Sequence, residues 1–384
     1  MMARNKQKGH RTPMKKVLFV ATVAKTHICT FHLPFLRMFQ KMGYETYVAA
    51  HNDFGDEMCV IPYCNHFYDI SAERSPLKKG NMQAYRQLKQ LIDRENFDII
   101  HCHTPIAAAL TRLAARKARK RGTRVIYTAH GFHFFKGAPL LNWLLYYPIE
   151  KICSRWTDTL ITINHEDYAL AKKKMKAARV EYVPGVGVDA AAFANAMVDR
   201  EETRRRLGIP QDAFLVLSVG ELNQNKNHKT VLQAIAECRD PRIHYAVAGV
   251  GNLRENLKEL AESLGLGDRF HLLGYRSDVA ELYKSADVFV HPSYREGLPV
   301  SVIEAMASGL PIIASDTRGN RDLVDVAGGY LCEPGKVSQF AEKIRLCVEE
   351  PTRLHEMGAH NRRKAHHYDV ESITEIMRVI YGGA

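Results

Sequence analysis

The segment HPSYREGLPVSVIEAMASGLPIIAS, residues 291–315, reads as three local structures in a row. An apolar strand ends at 291–293, and a loop follows that carries Arg295, Glu296 and Gly297. Pro299 then suits the first position of a helix, VSVIEAMASG, because its φ is preset and its missing N–H would have no partner there. PIIAS at 311–315 opens a second strand. Strand, helix and strand joined by short connections imply a parallel βαβ unit. The backbone N–H groups of Val300 and Ser301 would point out of the helix start, where the helix dipole favours an anion such as a phosphate. Glu296 lies in the loop at the mouth of that helix and Glu304 on its first turns. Each carboxylate can accept two hydrogen bonds from vicinal hydroxyls, one on a sugar and the other on a ribose. Taken alone, Glu304 would be an ordinary helix-surface residue; the surrounding pattern is what gives it a ligand.

The same grammar extends in both directions. Downstream of 213, strands are expected at 214–220, 244–249, 270–274, 288–293, 311–315 and 328–333, with helical patterns between them. Upstream, strands are expected at 15–22, 46–51, 98–103, 124–130, 158–164 and 180–185. Helical patterns cover 31–43, closed by Gly43, then 82–96 and 107–122. Alternating βα segments with Val- and Ile-rich strands give a doubly wound parallel sheet, here twice. The chain is therefore α/β with two Rossmann-like domains. The expected division is a basic extension 1–13, a first domain 14–188, a second domain 189–370, and a C-terminal helix 371–384 returning to the first domain. The join falls near VPGVGVDAAAF, 183–193, where Pro and Gly interrupt the pattern. Such sheets bind ligands in the crevice at their strand C-termini, expected here between the domains.

The 384 residues carry a net charge of +12, all of it in the first half. Residues 1–195 hold 30 Lys and Arg against 15 Asp and Glu, whereas residues 196–384 hold 24 against 27. A basic half suits an anionic membrane, a phosphorylated acceptor or nucleic acid, or is simply a solvated cationic face. Eight scattered cysteines with no CxxC pair suggest reduced thiols. VLFVATVA at 17–24 is short and strand-like rather than a signal segment, and no run reaches about 18 apolar residues.

On residues 291–315 the chain resembles the signature of the family 4 retaining glycosyltransferases, which have the GT-B fold. The resemblance runs from about Met14 to about Tyr381. YTAHGFHFF (127–135), VPGVGVD (183–189), SVGELNQNKNH (218–228), VAGVGN (247–252) and LLGYRSDV (272–279) fall in the family's order. It is nearest to bacterial exopolysaccharide and lipid-linked oligosaccharide transferases. The resemblance implies two parallel sheets facing across a cleft and a hexosyltransferase using a nucleotide-sugar donor, most commonly UDP-linked, as substrate. It also implies that Glu296 contacts the donor sugar, Glu304 the ribose, and the Val300 and Ser301 backbone the diphosphate. Lys226 would neutralise the β-phosphate as it leaves, and His130 would sit beside the donor sugar, so His130, Lys226 and Glu296 form the catalytic set. Gly220, Asn223, Gly249, Gly251, Gly274, Tyr275, Arg276, Arg295, Gly297 and Leu298 complete the expected donor site. No metal and no cofactor are expected, since a lysine and a helix start take the diphosphate charge. Retention implies front-face attack, with the leaving diphosphate accepting the acceptor's proton.

Two departures from the family matter. Glu221 stands where relatives usually have Arg, so either Lys226 acts alone or Arg295 or Arg276 supplies a second cation. The loop after the first strand, TVAKTHICTFHLP at 22–34, has no Gly-Gly, and instead offers Lys25, His27 and His32 as acceptor-side or phosphate contacts. His103 joins them as an acceptor-side candidate. His101 and His103 share a strand face, but the sequence shows no third ligand, so they read as a strand-end pair rather than a metal site. The segment 131–156 mixes aromatic and aliphatic residues with Lys136, Lys151 and Arg155, and RKARKR (116–121) and KKKMK (172–176) add charge. That pattern suits either docking on an anionic membrane or an ordinary buried helix. Docking would place the enzyme in the cytoplasm, peripheral on the inner membrane face, with a polyprenyl-diphosphate-linked saccharide as acceptor. Competing readings are a UDP-sugar 2-epimerase of GT-B fold, an NAD-dependent dehydrogenase using the 249–251 turn, and a nucleic-acid-binding protein. The last lacks a recognised binding module, so no nucleic-acid partner is expected.

Overall fold

The computed structural model describes residues 14–73, 75, 76 and 78–383. The expected basic extension 1–13 lies outside them. The chain forms two compact units. One is built on the residues up to Ala129 together with Ala138–Ile161 and Lys174–Val180; the other on His130–Gly137, Thr162–Lys173 and everything from Glu181 onward.

The first sheet contains β1 (Lys16–Val23), β2 (Glu45–His51), β3 (His66–Asp69), β4 (Ile99–His103), β5 (Arg124–Ala129), β6 (Thr159–Thr162) and β7 (Arg179–Tyr182). Their spatial order is β3-β2-β1-β4-β5-β6-β7. The second contains β8 (Phe214–Val219), β9 (Ile243–Ala248), β10 (Phe270–Gly274), β11 (Val288–His291), β12 (Ile312–Ser315) and β13 (Gly329–Cys332), in the order β10-β9-β8-β11-β12-β13. Pairing is parallel, for example Val17 with Ile99 and Val288 with Val216. Both orders are the doubly wound one. The sheet grows one way from β1 and from β8, then reverses at β4 and at β11, and the crevice at each reversal lies beyond the strand C-termini.

Successive side chains of the second sheet go to opposite cores, as the pleat requires. Leu215, Leu217, Phe289, Ile312 and Ala314 join the helix Val300–Ala307 through Val302, Ile303 and Met306. Val216, Val288, Val290 and Ile313 enter the other core, with Val231, Ile235, Phe340 and Ile344. Burial on both faces explains why these strands read as continuous apolar runs.

All twelve expected strands are present, and β3 is a thirteenth. Its side chains are only partly buried, so His66–Asp69 has no apolar run to reveal it. Two local expectations need correction. Pro299 is the N-cap, in an extended conformation (φ −75°, ψ 118°), and Val300 is the first helical residue. The stretch after β1, expected as a loop, is a π-helix over Ala24–Cys29 leading into the helix Leu33–Lys41. Gly43, with φ 79°, closes that helix as expected.

Candidate active site

The loops after β8 and β11 meet at the second reversal. Asn225 Nδ2 donates to the Arg295 carbonyl at 3.0 Å, and the Tyr294 amide donates to the Asn225 carbonyl at 2.8 Å. Asn223 Oδ1 accepts from the Lys226 amide (2.9 Å), and Asn227 Nδ2 donates to the Pro292 carbonyl (3.2 Å). Asn223, expected as a donor ligand, thus also shapes the turn that aims Lys226. The ends of β8, β9 and β10 are laced alongside: the Gly220 amide donates to Ala248, and the Gly249 amide to Gly274. A Cβ on Gly249 would lie 1.9 Å from the Gly220 carbonyl oxygen, so only glycine allows this approach.

Lys226 Nζ lies 2.8 Å from Glu296 Oε1, and His291 Nε2 lies 3.0 Å from the same oxygen. Neither uses Oε2. Burial alone would raise the Glu296 carboxyl, but the Lys226 ammonium and His291 outweigh it and hold it well below the usual carboxylate range. Glu304 lies in the opposite situation. Burial pushes its carboxyl up to about 7, against the single hydrogen bond from Tyr283 (2.8 Å). Tyr283 also donates to the Ser301 carbonyl at 3.2 Å and so ties Glu304 to the first helical turn. The N–H groups of Val300 and Ser301 belong to that turn, which has no intrahelical acceptors for them.

His130, at the end of β5, belongs to the same compact unit as Glu296. A Cβ on Gly297 would meet the His130 carbonyl oxygen at 1.9 Å. His130, Lys226 and Glu296 are therefore brought together, and Gly297 is required for the backbone contact. Leu298 is buried behind them, beside Gly185. Gly251 packs its Cα on the Leu222 backbone. Tyr275 stands exposed beyond β10. Arg276 forms a forked pair with Asp278, which occupies one of the two candidate second cations. Arg295 is exposed, and with Arg318 it helps burial push His133 down to about 4.

Sequence reasoning missed Arg318. Only 5% exposed, it donates to the Glu296 carbonyl (3.0 Å), the Phe132 carbonyl (2.7 Å) and Asp167 Oδ1 (2.6 Å), and lies over the Phe135 ring. Asp167, fully buried, accepts in turn from the Phe132 amide and Asn164 Nδ2. One guanidinium thus fixes the Glu296 loop to the segment that follows His130. Its position just after β12, at a strand C-terminus, was the available signal; its partners are 22 to 186 residues away.

In the first unit, His27 and His32 follow β1, and His103 ends β4, at that sheet's own reversal. Lys25 Nζ pairs with Glu57 at 2.6 Å. A cavity of about 570 Å³ with a mixed polar and apolar lining lies beside β1, β2 and β3; its polar residues include Thr22, His51, Asp69, Ser71, Gln83 and Gln87. The helix Leu140–Cys153 buries little of itself. Leu140, Leu141, Leu144 and Ile152 are 73, 62, 64 and 50% exposed, a stripe at near four-residue spacing, so this is not an ordinary buried helix. It is anchored underneath by Glu150, which accepts from Arg112 (2.8 Å) and Tyr127 (3.1 Å), all buried. Among the described residues no helix is long and apolar enough to cross a membrane.

Two doubly wound sheets, with a lysine–glutamate pair and a capless helix start at one reversal, define a GT-B glycosyltransferase. Residues 16–164 match the family described as Glycosyl transferase 4-like, and residues 199–364 match Glycosyl transferases group 1. The chain is 41% identical over 372 residues, 96% of each chain, to EpsD of Bacillus subtilis (strain 168), itself only provisionally named a glycosyltransferase. It is 31% identical over 272 residues to the UDP-Gal:alpha-D-GlcNAc-diphosphoundecaprenol alpha-1,3-galactosyltransferase of Escherichia coli, covering 69% of this chain and 70% of that one. Among solved structures, Anabaena HepE in complex with UDP and glucose superposes with a TM-score of 0.80 at 20% identity, covering 96% of this chain and all of that one. WaaG, a glycosyltransferase involved in lipopolysaccharide biosynthesis, gives 0.75 at 19%. The chain belongs to the family 4 glycosyltransferases and is a hexosyl-transferring enzyme.

Proposed function

We propose that the protein moves a hexose, with retention, from a UDP-sugar to a polyprenyl-diphosphate-linked saccharide in surface-polysaccharide assembly. The observation that carries this reading is the Lys226–Glu296 pair beside the start of the helix Val300–Ala307. On donor binding, the ammonium turns from the carboxylate to the β-phosphate, and the Val300 and Ser301 amides take the neighbouring oxygens. Glu296 is then released to the sugar hydroxyls, steadied by His291, while Glu304 accepts from the ribose. His130 contacts the sugar from the far side of the Glu296 loop.

The acceptor hydroxyl oxygen bonds to the anomeric carbon on the face from which the diphosphate departs. The carbon–oxygen bond to phosphate breaks, and a phosphate oxygen takes the hydroxyl proton. Lys226 and the helix start supply the positive charge this step needs, so no metal is assigned to the diphosphate. The lipid-linked acceptor is supported by the named activity of the Escherichia coli relative. The cavity beside β1–β3, with its hydroxyl, carboxylate and amide groups, is of a size and chemistry to hold a saccharide.

The exposed stripe on Leu140–Cys153, with Lys151 and Arg155 on the same segment and Lys117, Lys120 and Arg121 on a neighbouring one, suits shallow docking on the anionic inner face of a membrane. The test is incubation with a panel of UDP-, GDP- and ADP-hexoses and a lipid-linked saccharide mixture, read by mass spectrometry and by the product's anomeric coupling constant. A UDP-dependent gain of one hexose, with the donor's anomeric configuration kept, is expected. Hydrolysis or epimerisation without transfer would overturn the reading.

A further inference from the structure

The deepest concentration of imidazoles lies in the first unit, at the reversal between β1 and β4. His27, His32 and His103 each bring a ring nitrogen into a group whose members lie within 4.8 Å of one another. His27 Nε2 and His32 Nε2 are 3.3 Å apart. With one of the two protonated, this is an N–H···N hydrogen bond. With both bare, it is the separation of two ligands on one tetrahedral ion, because a Zn–N bond of about 2.0–2.1 Å gives an edge of about 3.3 Å. We propose that His27, His32 and His103 form a binding site for one zinc-class dication.

The backbone is built to bring these residues together. The π-helix Ala24–Cys29, a rare conformation that clusters at functional positions, precedes the α-helix and sets two histidines five residues apart on one side. Its first turn is pinned from outside: Asp53 accepts from the Lys25 amide (2.5 Å), the Thr26 amide (3.0 Å) and the Thr26 hydroxyl (2.7 Å). His103 arrives from β4, which pairs directly with β1. Its ring stacks on His32 with centroids 3.8 Å apart and planes inclined by 26°. Stacked rings do not aim at a common point, so metal binding must turn the His103 ring out of the stack. That rotation about Cβ–Cγ leaves the backbone in place.

The chemistry of the donors selects the ion. Three imidazoles and no carboxylate favour zinc and its neighbours over magnesium or calcium. His101 is excluded from the set, since its Nε2 is engaged with Thr128 Oγ1 at 2.8 Å. The inference concerns the first unit alone and stands whether or not the donor reading holds.

The test uses the full-length chain without a polyhistidine tag, stripped with a chelator. Zinc is titrated in against a chromophoric competitor, and cobalt(II) is added separately for its visible spectrum. One equivalent of zinc per chain and the intense bands of four-coordinate cobalt are expected. His27→Ala and His103→Ala should each weaken zinc by about 100-fold or more, beyond the effect typical of second-shell changes. His101→Gln should leave affinity unchanged. His27→Gln serves as a second variant that keeps a polar side chain in the helix, and circular dichroism checks that each variant folds. Binding of less than one equivalent, or binding unchanged in all three ligand variants, overturns the proposal.

Discussion

Lys226 has two roles in this reading, as counterion to Glu296 and as ligand of the leaving phosphate, and a cycle of variants separates them. At 2.8 Å the Coulomb attraction of the pair is about 6 kcal/mol at an effective dielectric of about 20, much of it offset by desolvation. Removing one partner of a buried pair costs about 3–5 kcal/mol. Lys226 keeps 22% of its side chain exposed, which puts Lys226→Ala at the low end, about 3 kcal/mol. That corresponds to a fall in Tm of roughly 6–10 °C. Loss of a charge-assisted contact to phosphate should weaken UDP by about 10- to 100-fold. Glu296→Gln should leave UDP affinity equal or tighter, because a competitor for the ammonium is gone, while turnover collapses. The double variant Lys226→Ala/Glu296→Gln should regain most of the lost stability, since no buried charge is stranded, yet still bind UDP weakly. Thermal unfolding and calorimetric titration with UDP at low salt give both readouts. A double variant that binds UDP as tightly as the unmodified protein would refute the phosphate role and leave Lys226 as a counterion only.

Four further outcomes are expected. Glu304 is protonated below about pH 7 in the free protein, and a ribose needs the ionised form as acceptor, so UDP binding should weaken about tenfold from pH 8 to pH 6 and flatten in Glu304→Gln. The same raised carboxyl means that the folded chain holds its proton more tightly than the unfolded one, so Glu304 lowers stability as pH rises from the usual carboxylate range to about 7 and no further; urea unfolding across that window checks the sign. Asp167→Asn strands the buried Arg318 guanidinium and should cost about 3–5 kcal/mol in urea unfolding, with a loss of turnover because the Glu296 loop loses its tether. Gly249→Ala must drive the β8 and β9 loops apart and should weaken UDP, whereas Gly267→Ala, whose nearest neighbour would be 3.8 Å away, should stay within about 0.5 kcal/mol in stability.

The strand, loop and helix of residues 291–315 were largely legible because their signals are local. Residues 291–315 announce strand, loop and helix through a proline, a glycine and a run of small apolar residues, and the position of Glu304 follows from helical spacing alone. What stayed hidden is long-range. Arg318 looks like any polar residue in DTRGNRD, and nothing near it foretells Phe132 or Asp167. Arg276 seemed available as a second cation until its neighbour Asp278 was seen to fold back on it. The acceptor side was read from composition, which could not decide between a buried and an exposed helix at Leu140–Cys153.

The sequence by itself determined the alternation of buried strands and amphipathic helices, the doubling of the sheet and the strand, loop and helix of residues 291–315, because periodicity and turn chemistry act within a dozen residues. Only the tertiary structure decided the strand order, and with it everything that meets at the two reversals. Lys226 reaches Glu296 across seventy residues because β8 and β11 are neighbours. His27 and His32 come near His103 because β1 and β4 are neighbours. Which strands lie side by side is set by how whole layers pack, and no stretch of sequence read alone carries that information.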